Sequence, residues 1–220
     1  MKARFTDWGL IPYSRAYRQQ QELFEEAIRD KTEGRPVRNQ FILCEHPHVI
    51  TVGKHGLYSN LLFPEETLRA KGVELYPVDR GGDITYHGPG QLVGYPILDL
   101  ESYGLGLKEY IHRLEEVIIR TVAEYGIQSS RLEGATGVWL DSDLPTARKI
   151  AAIGVRSSRY VTMHGFALNV NTDLSYFDLI NPCGFTDKGV SSLRKELGRD
   201  TDISEVKKNI LLHFNDILGE

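Results

Sequence analysis

The sequence is poor in sulfur, holding two cysteines, Cys44 and Cys183, and two methionines in 220 residues. Two cysteines build no disulfide framework, and in a reducing compartment both are expected as thiols. No apolar run approaches the roughly 18 residues that a membrane span needs. The start, MKARFTDWGLIPY, lacks the apolar stretch and small-residue cleavage site of a secretory signal, so the expected location is the cytoplasm, away from membranes. Excess positive charge is missing too. A formal net charge of -4 opposes nucleic acid as the main partner. Neither GxxxxGK[ST] nor GxGxxG occurs, which removes the phosphate-cradling loops. No CxxC or HxxxH pair accompanies His46, His48 and Cys44, and no metal is expected.

With 41% hydrophobic and 25% charged positions, residues 1–220 suffice for one compact domain. Three- and four-residue spacing of Tyr13, Ala16, Tyr17, Phe24, Ala27 and Ile28 predicts a helix over 13–31. A second stripe runs from Leu107 through Tyr110, Ile111, Leu114, Val117, Ile118 and Val122 to Tyr125, with Gly126 placed to end it. A third helix follows Asp202, where Glu205 suggests a capping box. Branched and aromatic runs at 41–44, 49–52, 73–78, 92–100, 137–140, 149–155 and 160–170 predict strands. RSSR predicts a hairpin between the last two, and EHPH a tight turn between the first two. The expected class is α/β (α+β): a mixed sheet with helices packed on it.

Chemistry concentrates in three places. RGGDITYHGPGQLVGYP, residues 80–96, reads as a Gly-rich loop between strands whose glycines let the backbone approach a ligand among Arg80, Thr85, Tyr86, His87 and Gln91. Lys149 opens an apolar strand, as an edge charge reaching water or as a cation aimed into a cleft. Cys183 lies between Pro182 and Gly184, away from any apolar strand position, as a reactive thiol does, whereas Cys44 in FILC fits a core. A free thiol is only a few per cent thiolate at neutral pH. A lysine, or one of His46, His48, His55, His87 and His164, would activate it, and spacing does not choose among them. Basic residues cluster as Arg148, Lys149, Arg156 and Arg159, and again as Lys188, Arg194, Lys195 and Arg199. They fit scattered solvated charge or a docking patch for an acidic protein.

RGGDITYHGPGQLVGYPILDL resembles the signature of the lipoyl/octanoyl transferases, also called lipoate-protein ligase B. EHPHVITVGKHG, TGVWL, ARKIAAIGVR, HGFALNVNTDLSYFDLINPCG and GVSSL follow in that family's order, so the resemblance covers roughly residues 40 to 195 without departure at a needed position. It implies the fold of the biotin and lipoate ligases. It also implies transfer of an octanoyl (or lipoyl) group from acyl carrier protein to a lysine of lipoyl domains, in 2-oxoacid dehydrogenases and the glycine cleavage H protein. Neither ATP nor metal is required, and the enzyme is expected to be monomeric.

Carried over, Cys183 is the acyl-thioester nucleophile and Lys149 lowers its pKa. Acyl-binding contacts fall at Arg80, Gly81, Gly82, Asp83, Ile84, Thr85, Tyr86 and His87, at Ala152, Ile153 and Gly154, and at Gly165, Phe166 and Ala167. Lys149 then serves as base for the incoming amine, with N–H groups near Gly81, Gly82 or Gly154 as candidate oxyanion donors. Rival readings are an ATP-dependent lipoate or biotin ligase on the same fold, a non-catalytic binder of lipoyl domains or acyl chains, and a thioesterase.

Overall fold

The computed structural model describes residues 3–181 and 188–219. Eight of the described strands form one sheet. In chain order these are β1 (Arg4–Leu10), β2 (Gln40–Glu45), β6 (Gln91–Ile97), β7 (Ser130–Leu132), β8 (Ala135–Leu140), β9 (Arg148–Ser158), β10 (Val161–Asn169) and β11 (Gly189–Val190). They lie in the order β1-β2-β6-β10-β9-β8-β7, with β11 beside β9. Pairing is mixed: β1 with β2 and β11 with β9 are parallel, and the others are antiparallel. A smaller sheet has the order β4-β3-β5, from β3 (Val49–Val52), β4 (Glu74–Pro77) and β5 (Ile84–His87).

Strand alternation gives the main sheet two apolar faces. Ile42, Cys44, Val93, Tyr95, Met163 and Ala167 face α1 (Tyr13–Thr32), against its Ala16, Phe24 and Ala27. Phe41, Leu43, Leu92, Val138, Leu140, Phe166 and Leu168 face α3 (Leu107–Ala123) and α5 (Ile203–Leu218). The small sheet has its own cluster, in which Ile50, Val52, Ile84 and Tyr86 pack with Leu68 of α2 (Glu65–Ala70) and with Leu179. A last short helix, α4 (Leu193–Leu197), leads into α5.

The three expected helices are present, and Gly126 takes the left-handed conformation after α3, at φ 73°. Asp202 caps α5 by accepting the Ser204 N–H at 2.8 Å, an Asx-type cap in place of the expected capping box. Two turns differ from expectation. EHPH joins no hairpin, because β2 and β3 belong to different sheets. Between them His46 is pinned in the interior, with Nδ1 2.8 Å from Ile11 O and Nε2 2.7 Å from Tyr95 Oη. The late hairpin exists, but RSSR is not its turn: strand pairing runs through Ser158↔Val161, and Arg159 and Tyr160 turn the chain at φ 51° and 65°. The segment 80–96 also carries more regular structure than a loop, since it contains β5 and all of β6 but its last residue.

Candidate active site

A cavity of about 600 Å³ lies against β9 and β10. On the α1 face its floor is a block of four small residues: Ala152 pairs with Ala167, and Gly154 with Gly165. Small side chains at adjacent registers leave a hollow where larger ones would meet α1. The Gly-rich segment roofs it. Gly81 N donates to Val155 O at 2.9 Å, and an added Cβ on Gly154 would sit 2.9 Å from Gly81 O. The roof is fixed from behind as well, where Gly53 N donates to Asp83 O at 3.0 Å and Lys54 N to Arg80 O at 3.0 Å.

Of the expected acyl contacts, Arg80 to Thr85, His87, Ala152 to Gly154 and Gly165 to Ala167 all line this cavity, with Lys149. Tyr86 does not. Alternation along β5 turns it into the cluster of the small sheet, where its Oη lies 2.7 Å from His48 Nδ1 and its ring stacks on Tyr176 at 5.1 Å. Cys183 lies outside the described residues. The chain on either side is placed: Asn181 N donates to Asn60 O at 2.8 Å, and Lys188, Gly189 and Val190 line the cavity. β11 pairs with Arg148 and Lys149 themselves, so the return from the 182–187 segment runs beside the lysine. Lys149 Nζ sits 4.6 Å from the centroid of the Trp139 ring, a cation-π contact that holds the ammonium on the cavity floor.

Behind the roof runs a chain of polar groups that starts at the Arg80 guanidinium. Arg80 Nη2 donates to Thr51 O and Oγ1, both at 2.9 Å, and Thr51 Oγ1 lies 3.5 Å from His87 Nε2. Gln91 Nε2 donates to Tyr86 O and Asn169 Oδ1, which turns Gln91 Oε1 toward His87 and assigns the proton to His87 Nδ1, 2.7 Å away. Asn169 Nδ2 donates to Ser191 O, and Ser191 N to Lys149 O, both at 2.9 Å. Burial pushes the His87 pKa down to about 3, so this histidine is a neutral strut.

A charged cluster closes the other end. His164 Nε2 is 2.9 Å from Asp79 Oδ1, and Arg156 Nη1 bonds the second oxygen of the same carboxylate. His164 is buried at φ 62°, which brings its ring over Tyr17 of α1, with centroids 5.8 Å apart. Strict alternation would turn it to the opposite face. The His164 hydrogen bond, with Arg156 beside it, holds the Asp79 carboxyl below its usual range. Arg156 is thereby committed to Asp79, and Arg148 to Glu196 and Asp141, so the first basic cluster is in large part paired.

Among the described residues no group of three or more His, Cys, Asp or Glu is placed to hold an ion. Cys44 is fully buried and its thiol is pushed up by burial, as befits a core residue. Sequence reading missed several lining residues, among them Tyr13, Tyr95, Leu107, Ile111, Thr136 and Trp139. Only their surroundings in the fold mark them as lining residues.

The architecture, a mixed sheet with helices packed on its faces, is that of the lipoate ligase catalytic fold. A bipartite lipoate protein ligase from Thermoplasma acidophilum superposes over 100% of this chain and 84% of its own, with a TM-score of 0.73 at 16% identity. A lipoate-protein ligase A bound with ATP gives 0.71 at 14%, covering 100% and 86%. The chain belongs to the lipoyl protein ligase A/B catalytic domain family, whose model matches residues 12–215. Among its relatives, an octanoyltransferase of Bacteroides fragilis is 61% identical over 96% of this chain and 95% of that protein. An octanoyltransferase of Bacteroides thetaiotaomicron is 56% identical over 100% and 97%. No described helix is long and apolar enough to cross a membrane.

Proposed function

We propose that this protein is a single-domain cytoplasmic octanoyltransferase. It takes the octanoyl group from acyl carrier protein onto Cys183 and passes it to a lysine of a lipoyl domain, in 2-oxoacid dehydrogenases or the glycine cleavage H protein. The observation that carries the reading is Lys149, held over Trp139 at one cavity and paired along its backbone with the strand that returns from the Cys183 segment. An ammonium beside a thiol favours the thiolate.

In the first step the Cys183 thiolate attacks the carrier thioester carbonyl, a new C–S bond forms, the carrier C–S bond breaks, and the departing sulfur takes a proton from the Lys149 ammonium, which leaves Lys149 neutral. One thioester replaces another, so neither ATP nor metal is needed. In the second step the acceptor amine attacks, Lys149 removes its proton, the C–N bond forms and the Cys183 thiolate departs. An amide replaces a thioester, which makes this step downhill.

For the oxyanion, the ladder narrows the donors. Gly81 N–H is spent on Val155 O. Because Val155 O points away from β10, the odd residues of that part of β9 face the open edge, and Gly154 N–H pairs with β10. Of the expected donors Gly82 N–H remains, joined by Ile153 N–H on the open edge of β9, and both residues line the cavity.

The test offers octanoyl carrier protein and a lipoyl domain without nucleotide. Mass spectrometry then looks for an octanoyl adduct on Cys183 and octanoyl-lysine on the acceptor. Transfer only with ATP and free acid would make the chain a ligase, free octanoate in place of amide a thioesterase, and transfer undiminished in C183A would remove the covalent route.

A further inference from the structure

The cavity draws on both faces of the main sheet. Beyond the floor on the α1 face, its lining includes Ile153 and Val155, which alternation turns to the opposite face, and there Leu107 and Ile111 of α3 with Ala135 and Thr136 of β8. A continuous ladder would separate the two sides. It is interrupted: β8 pairs with β9 only as far as Val138↔Ala151, and the next contact on that edge is Gly81 N to Val155 O at 2.9 Å. Ile153 therefore borders an opening.

Glu115 of α3 lies beside the interruption and fixes the β8 backbone there. Its Oε1 accepts the Gly137 N–H at 3.0 Å, while Arg131 Nε donates to its second oxygen at 3.1 Å. Gly137 itself sits at φ 125°, and a Cβ there would be 2.6 Å from Ala151 O, so the strand turns away at a position suited to glycine. Leu107, 41% exposed on the first turn of α3, forms part of the rim.

We propose that this opening passes acyl chains longer than octanoyl from the α1 face into an apolar arm under α3, so that Leu107 and Ile111 set the upper limit of chain length. The inference rests on the octanoyl-transfer reading. From Lys149 to Ile153 is four residues of β9, roughly 13 Å at the usual strand rise, comparable to an extended octanoyl thioester. Further carbons reach the opening there, and the side chains beyond it are hydrocarbon apart from the Thr136 hydroxyl, as a methylene chain requires.

The experiment compares transfer rates from octanoyl and tetradecanoyl carrier protein for the unaltered protein, I111W and L107W, each checked by a thermal melt. Leu107 is exposed, so its replacement keeps the test open if I111W fails to fold. The unaltered protein is expected to use both donors. Either bulky variant should lower the tetradecanoyl-to-octanoyl ratio by roughly tenfold, the worth of about two buried methylenes. An unchanged ratio in a folded variant, or octanoyl transfer without any from tetradecanoyl carrier protein, overturns the chain-length inference and leaves the function standing. Absence of octanoyl transfer from the unaltered protein overturns the function itself.

Discussion

Gly154→Ala tests whether the Gly-rich roof is seated on the small-residue floor. The added Cβ would lie 2.9 Å from Gly81 O and 3.2 Å from Arg80 Cδ. Neither yields easily. Gly81 is tied to Val155 O at 2.9 Å, and Arg80 is anchored on Thr51 by two hydrogen bonds of 2.9 Å. Overpacking against a clamped backbone costs about 1–3 kcal/mol, and for a chain of this size that lowers Tm by roughly 3–10 °C. The methyl also enters the floor and lifts the roof, so kcat/KM for octanoyl transfer, measured at 25 °C where the variant stays folded, should fall by about tenfold or more. Differential scanning calorimetry and a carrier-dependent transfer assay read the two effects. A Tm within about 1 °C of the unaltered protein, together with unchanged kcat/KM, would mean that the roof does not rest on this floor.

Three further outcomes are expected. Asp79→Asn removes the carboxylate shared by His164 and Arg156. Because Asp79 titrates below its unfolded value, its stabilisation is fully present above about pH 4 and lost as pH falls through the native value. The stability gap between the two proteins in urea titrations should therefore narrow in acid, and an equal gap in acid and at neutrality refutes the pairing. Lys149→Met should slow octanoyl transfer by roughly 10²–10⁴-fold with the melt near that of the unaltered protein, and transfer at the unaltered rate removes Lys149 from the mechanism. Iodoacetamide at neutral pH should alkylate Cys183 in the native protein and reach Cys44 only after denaturation, with modified native Cys44 as the contrary result.

Elements with a strong period are legible in the amino-acid order alone: the stripes of α1, α3 and α5 and the runs of β2, β6, β8 and β10 need only alternation and core burial. Others carry no such signal. β1 is a half-exposed edge strand with Asp7 and Gly9 in its middle, so it lacks an alternating apolar face. The hairpin turn at Arg159 and Tyr160 adopts positive φ without the Asn-Gly or Asp-Gly pair that announces such turns. His46 and His48 look like one turn, but their partners, Ile11 and Tyr95 for one and Tyr86 for the other, are distant in sequence. The site is legible as motifs, not as a shape. Nothing local in ARKIAAIGVR shows that Ala152 and Gly154 form a floor with Gly165 and Ala167, because that depends on the register of two strands. Nor does Glu115, an acidic residue on a helix face, betray that its carboxylate accepts the backbone N–H of Gly137 on β8.

The same tertiary context narrows a choice that spacing leaves open, namely which cation stands behind the reactive sulfur. Burial pushes the pKa of His46 down to about 4 and that of His87 to about 3, and both ring nitrogens of each already face protein partners. His164 is lowered by burial as well, and its Nε2 is committed to Asp79. His48 is bonded to Tyr86 and stacked on Tyr176, and neither it nor His55 lines the cavity. Arg80 is spent on the backbone and hydroxyl of Thr51. Neutral imidazoles cannot stabilise a thiolate by charge, and a guanidinium fixed behind the roof is turned to another task. Under the proposed function the role falls to the ammonium of Lys149, which lines the cavity next to the returning strand, as Lys188 does farther along it.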